Sequence, residues 1–535
     1  MVSLNRRNFI RTTLVAGSGV LFTPAEAWNR VPLSEDLMLG LHPFIHENPD
    51  AVFVMRTAVK QKTDTEAVRQ AGLDFGRSIF SQTDDPLRGI PLTHRFVIKP
   101  NLTCRNRGHK QYTVERSMGI VTDAHFTEGI IQSMMELGIS SDHIHLREVN
   151  CPDDLDDGGY TDLAERTGVD VRCVDTHYSK LAPEEIQWME VENGNYFRRL
   201  PFVWPVNAPD SWLLNISKLK AHGMGMTLCA KNLQGTIVKN YQEHCGLWGN
   251  PLDTRADDVR TDAFAFIQEN YLRHVAQGIP RWDRPGDYGG RWMETWASRC
   301  LDNNAVTRAG LHVIEGIYGR DGNFMDGPGE EGLATDYMTN CIIFGLNPFY
   351  VDIIGHWIGG HEPGNFGLFH MAREQGRIST MNPANIPVYH WDPVQGATLG
   401  TLGNLERFAL KTYYLQANFN GGQEDYWHMV NEPFDYDKFS DPVTSVPRGI
   451  LQLGTNHPNP VTGITHIPFR TAVPGPVRIE VINEQGAVVD VLVDEVVPAG
   501  SHMTAWDSSA YPAGLYIYMM RTAGLSCAGR MLVVR

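Results

Sequence analysis

Between about residue 90 and residue 390 short β-branched and apolar runs alternate with longer stretches whose apolar positions recur every three or four residues. "RFVIKPN" predicts a strand stopped by Pro100, "AHFTEGIIQSMMELG" an amphipathic helix ended by Gly138, and "DHIHLREVN" the next strand. "VDVRCVD", "WLLNISK" and "LHVIEG" repeat the strand signal. "NCIIFG" repeats it once more, with "NPFYVDIIGHWIGG" after it as a helix. Strands alternating with helices predict an α/β body with a mainly parallel sheet and flanking helices. Residues 253–304, rich in Trp, Arg and Asp, fit no such unit and are expected to be an insertion over the sheet.

The grammar changes at residues 433–449, a polar stretch punctuated by proline that is expected to be a linker. From residue 450 to 535 the chain becomes short alternating strands with turn signals, which predicts a small all-β immunoglobulin-like sandwich. The expected order is a signal peptide over 1–27, an α/β body over 28–432, the linker, and the sandwich.

Composition narrows the partners. The chain has 535 residues, 42% of them hydrophobic and 20% charged, with a net charge of -16, as in a globular protein with a large core. No basic run lies outside the N-terminus, so nucleic acid would be repelled. Eight cysteines are scattered without a C-x-x-C pair, which argues against zinc ribbons and ferredoxin-type clusters. A bridge such as Cys229 to Cys245 is compatible with export, whereas folding in a reducing compartment favours free buried thiols.

The N-terminus places Arg6 and Arg7 before Phe9, then a short apolar run over 12–22, then Ala25, Glu26 and Ala27. The run is too short for a stable membrane span. The pattern resembles a twin-arginine export signal cut after Ala27, which implies passage through the twin-arginine translocase to the periplasm. That route carries folded proteins, often with a cofactor acquired in the cytoplasm; the sequence does not identify one.

The chemistry concentrates in "ISKLKAHGMGMTLCAKNLQG". Alternate residues of a strand share a face, so Leu214, Ile216, Lys218, Lys220 and His222 are expected to line up, passing from apolar to cationic at the strand's carboxyl end. In open α/β sheets the ligand crevice lies beyond those ends. The Gly-Met-Gly that follows is expected to open a helix whose free N–H groups favour an anion, with Lys231 and Asn232 on it. Lys99 and Asn101 leave a second strand end in "FVIKPN". Crowded, partly desolvated lysines suit anion binding, proton abstraction or Schiff-base chemistry, and the pattern does not choose among them. Glu315, Asp321 and Asp326 are expected in a glycine-rich loop after a strand, suited to a cation or to sugar-like hydroxyl groups. Asp352 and His356, one helical turn apart, with His361, Glu362 and His370 behind them, suit buried hydrogen bonding or a metal. "QEHC", 242–245, offers further soft ligands.

"VIKPNL", "VTDAHFTEGIIQSMMELG", "NISKLKAHGMGMTLCAKNLQG" and "VIEGIYGRDGNFMDGPG" occur in the order seen in the family catalogued as domain of unknown function 362, which this chain resembles over roughly residues 90–390. The resemblance implies architecture and site residues, and no reaction. "HPNPVTGITHIPF", "VINEQGAVVDVLV" and "PAGLYIYMMR" are similar to type IX secretion sorting domains and flagellar-hook-type immunoglobulin modules, which implies the type IX machinery as a partner. The expectation is an exported enzyme that binds an anionic small molecule or phosphate-bearing cofactor in a lysine-rich crevice. In that crevice Lys218, Lys220, His222 and Lys231 carry the chemistry, and Lys99, Asn101, Asn232, Glu315, Asp321 and Asp352 hold the cofactor. The alternatives are a cell-surface binding protein without turnover and a passive scaffold.

Overall fold

The computed structural model describes residues 37–85, 88–102, 119–149, 154–223, 225–242, 254–281, 290–413, 426–439, 451–454, 456–471, 475–483, 487–498, 500–522 and 525–535. The signal peptide over 1–27, Cys104, Cys151, the 243–245 part of "QEHC" and the linker beyond Phe439 lie outside the described residues.

The body is built on one large sheet. Its main strands in chain order are β1 (Val52–Arg56), β2 (Arg95–Pro100), β3 (Ile144–Val149), β4 (Asp170–Val174), β5 (Ser211–His222), β6 (Gly225–Thr227), β7 (Ala309–Arg320), β8 (Cys341–Gly345), β9 (Val388–Asp392) and β10 (Gly396–Leu399), and the two-residue strand Asp336–Tyr337 pairs with the end of β7. In space the order is β10-β9-β1-β8-β7-β5-β2-β3-β4. Neighbours from β7 through β4 are parallel, as are β9 and β1, whereas β8 runs against both β7 and β1. The body is therefore mainly parallel, and the two 12-residue strands β5 and β7 lie at its centre, buried on both faces beyond their first two residues.

Helices cover the two faces, each by its own apolar stripe. On one face lie α1 (Thr65–Ile79) and α2 (Ala124–Glu136), whose Phe75, Phe126 and Ile130 meet Phe96, Ile98, Leu214, Ile216 and Val313 of the sheet. The other face carries the short α3 (Cys229–Asn232), then α5 (Gly290–Val306), α6 (Pro348–Ile358) and α7 (Gly367–Glu374). Met293, Trp296, Ala297 and Cys300 recur at helical spacing along α5 and pack with Ile354, Leu219 and Ile343. The insertion thus resolves into α4 (Ala263–Ala276) and α5, the latter an integral layer of the core.

Two local expectations change. Gly-Met-Gly does not open a helix: Gly225, at φ +97°, begins β6, which folds back on β5 with Lys220 opposite Thr227 and His222 opposite Gly225. The helix begins four residues later and is only four residues long. Glu315 lies inside β7 rather than in the loop after it, because that strand continues to Arg320.

The C-terminal unit is all antiparallel. A three-stranded sheet of Leu451–Leu453, Ile464–Thr471 and Gly500–Asp507 accompanies a four-stranded one ordered Val488–Val497, Gly475–Ile482, Gly514–Thr522, Leu525–Val533. Inward positions alternate with outward ones, and Trp506, Tyr518, Ile467 and Val481 form a core of its own. Among the described residues no helix is long and apolar enough to cross a membrane.

Candidate functional site at the carboxyl ends of β2 and β5

From β2 the chain passes to β3 and β4 on one side, and from β5 to β7 on the other. The strand order therefore reverses between β2 and β5, the place where open α/β sheets form their ligand crevice.

Lys218, Lys220 and His222 share the face covered by α2, as alternation requires. Lys218 Nζ stands 2.6 Å from Glu315 Oε2 and 3.7 Å from the centre of the Tyr318 ring, with no exposed surface on either member of the ion pair. Glu315 Oε2 also accepts from the Asp123 backbone N–H, and Tyr318 donates to Asp123 Oδ2 at 2.8 Å. Asp123 caps α2 and receives His125 as well. Burial pushes the Asp123 carboxyl up, but His125, Tyr318 and Lys218 together hold it below the usual carboxylate range. Lys220 Nζ donates to the Ile120 carbonyl, one turn before that cap.

Lys99 points the other way. It pairs in register with Asn215, which is out of phase with Lys218, so the two lysines lie on opposite faces of the sheet. Its Nζ is 2.6 Å from Glu148 Oε2 and 3.1 Å from Asn232 Oδ1, and Asn101 Nδ2 reaches the same Asn232 oxygen at 2.9 Å. Asn232 Nδ2 donates in turn to Asn215 Oδ1. Gly235 explains the end of the "KNLQG" run: a Cβ there would stand 1.8 Å from Glu148 Oε1 and 2.7 Å from Lys99 Nζ. Asn101 Oδ1 is buried and has no hydrogen-bond partner among the described residues.

Lys231, half-buried, lines a cleft on this second face with Met226, Trp296, Asp352, His356 and Phe366. The helix N-terminus that was expected to receive an anion is occupied by a carboxyl group of the chain itself. Asp352 Oδ1 accepts from the Cys229 N–H at 2.7 Å and Oδ2 from the Ala230 N–H at 2.9 Å, while burial pushes its carboxyl up to about 8. Lys231 and Lys220, from the two sides of the sheet, both act on His222. Burial first, then Lys231, then Lys220 drive its imidazole well below its ordinary value.

Residues 97–356 match the model of a domain of unknown function, DUF362, and residues 456–534 match the secretion system C-terminal sorting domain. Within the body, residues 97–356 are a DUF362 domain. Its sorting tail marks a protein that is secreted, to the cell surface or beyond. No curated protein matches the chain.

The remaining expected ligands each have hydrogen-bond partners within the chain or lie at its surface. Asp321 accepts from the Thr335 N–H at 2.6 Å and from Tyr337, closing its loop, and Asp326 is exposed in the same loop. His356 does not meet the Asp352 carboxylate: its Nδ1 lies 2.8 Å from the Asp352 carbonyl, within the helix. His361 bonds the Leu410 carbonyl, His370 that of Gly364, and Glu362 accepts from Tyr436. Among the described residues no three His, Cys, Asp or Glu side chains are grouped to hold a metal ion. Cys229, Cys300 and Cys341 are free and buried.

The sequence reading missed the acidic half of the DUF362 crevice, namely Glu148 at the end of β3 and Asp123 at the cap of α2. It also missed Asp336, which takes Arg320 at 2.6 Å and Lys62 beside it. The usable signal was the same as for the lysines, a charged residue ending an apolar strand, as in "LREV".

Proposed function

We propose that this protein is an exported enzyme that binds an anionic small molecule, or a cofactor bearing phosphate, at the carboxyl ends of β2 and β5. Lys220 and Lys231 are the cationic contacts, and His222 is a neutral imidazole placed to accept a proton. The supporting observation is the pressure on His222, where burial and two ammonium groups act in the same sense. An anion settling among the three groups would relieve that repulsion, which is the condition for differential binding. An imidazole kept neutral is also the form that takes up a proton. Lys99 and Lys218 have a different part: each has a carboxylate at 2.6 Å, so they position the strand ends rather than meet the ligand. Asn232 and Asn101 brace the same end.

Buried lysine–carboxylate pairs add little net stability over apolar replacements, so two of them at one strand-order reversal favour a role beyond folding. The arginine pair at the N-terminus supports entry to the periplasm by the twin-arginine translocase, and the tail supports a second step through the type IX machinery.

The test is calorimetric titration of the purified full chain with inorganic phosphate, phosphate esters and small carboxylates, and mass spectrometry of each after incubation. Binding that falls tenfold or more in Lys220→Met and Lys231→Met, with conversion of one compound, is the expected result. Unchanged affinity in both variants would overturn the site. Binding without conversion would make the protein a surface receptor.

A further inference from the structure

Beyond β5 the crevice meets a segment from the far end of the body. Thr412 Oγ1 donates to the His222 carbonyl at 2.6 Å, and the Gly322 N–H, just past β7, donates to the Lys411 carbonyl at 2.7 Å. Residues 411–413 thus cross the carboxyl ends of both central strands. Thr412 pairs with His428 through two backbone hydrogen bonds of 2.9 and 2.8 Å, which brings Tyr426 and Trp427 alongside. The Tyr413 phenol lies against Gly223, directly after His222: a Cβ on that glycine would stand 2.2 Å from the phenol oxygen.

Three rings form a platform there. Tyr413 and Tyr426 stack with centroids 5.6 Å apart and planes 7° from parallel, and Trp427 meets both edge-on at 80° and 87°. Tyr426 is held on two sides and is still 54% exposed. A large ring left open to solvent, fixed by its neighbours and one ring removed from the end of β5, needs little ordering to receive another ring.

We infer that the crevice selects anions that carry a flat aromatic ring, an aryl phosphate or aryl carboxylate, with Tyr426 as the stacking surface and the anionic group directed at Lys220 and Lys231. The inference rests on the anion site proposed above and assigns it a substrate class. The near-parallel Tyr413–Tyr426 stack favours an aromatic ring over a saturated sugar, because a third flat ring continues the stack.

The experiment compares three ligands on the full chain by calorimetry: inorganic phosphate, glucose 6-phosphate and phenyl phosphate. Phenyl phosphate should bind about three- to tenfold tighter than the other two. Tyr426→Ala should abolish that advantage and leave inorganic phosphate unaffected, and Tyr426→Phe should retain it. Equal affinity for glucose 6-phosphate and phenyl phosphate, or an undiminished preference in Tyr426→Ala, would overturn the ring preference and leave the anion site standing. Failure of all three ligands to bind the unaltered protein would overturn the anion site and the inference together.

Discussion

Lys218 Nζ lies 2.6 Å from Glu315 Oε2, and neither side chain has any exposed surface. A pair so placed is costly to break and cheap to remove whole, since an orphaned buried charge keeps its desolvation penalty without its partner. Lys218→Met alone should therefore lower unfolding free energy by about 3–5 kcal/mol. Lys218→Met with Glu315→Leu should recover most of that loss. Chemical denaturation of the two variants checks it, and a double variant no more stable than the single one would show that the residues are not coupled.

The alternation along β5 was legible because period two is a local property, and it put Lys218, Lys220 and His222 on one face. Which face Lys99 shares depends on the register between two strands, and no single strand encodes that. The pairing of Lys99 with Asn215 turned it away from Lys218. Glycine spacing in "GMGMT" is compatible with a helix start and with a hairpin, and the pairing of β6 with β5 decided for the hairpin. Glu148 was the larger omission: Lys99 at its strand end reads as a free cation until that carboxylate is brought beside it from 49 residues away.

His361 is buried neutral. Its Nε2 lies 2.8 Å from the Leu410 carbonyl, its Nδ1 accepts from the Val430 N–H, and burial, aided by His356, lowers its pKa to about 3. A depressed folded value means a contribution that is present above the unfolded value of about 6.5 and lost as pH falls toward the folded one. The stability difference between the unaltered protein and His361→Gln should accordingly be constant above about pH 7. Below about pH 6.5 it should shrink by about 1.4 kcal/mol per pH unit. Denaturation midpoints of both proteins from pH 8 to 5 measure it, and a difference independent of pH would contradict the buried neutral state.

His274 has the opposite sign. It joins α4 to α5 and α7, with Nδ1 2.7 Å from Glu294 and Nε2 3.1 Å from Glu374, which Arg273 also holds. Burial opposes its charge, but the two carboxylates prevail and raise its pKa to about 9. Its contribution is full below the unfolded value of about 6.5 and disappears as pH rises through about 9, an effect on the order of 3 kcal/mol. His274→Gln should thus be least damaging in alkali. A constant penalty from pH 6 to 10 would show that the imidazole is neutral in the folded protein.

The sorting domain has a core of its own in Trp506, Tyr518, Ile467 and Val481, and among the described residues its strands pair with one another and not with the body's sheet. The large sheet of the body, for its part, is complete without a strand from beyond residue 450. Two units that bury separate cores unfold separately unless a large apolar interface joins them. Deleting residues 450–535 should leave a soluble body whose main melting transition moves by no more than a few degrees, while the protein fails to reach the cell surface or the medium. Circular dichroism and fractionation of the expressing cells report these two outcomes independently. A body that aggregates on deletion would make the tail a structural part of the fold. A truncated protein that still reaches the cell surface would separate this tail from the secretion role of the domain it matches.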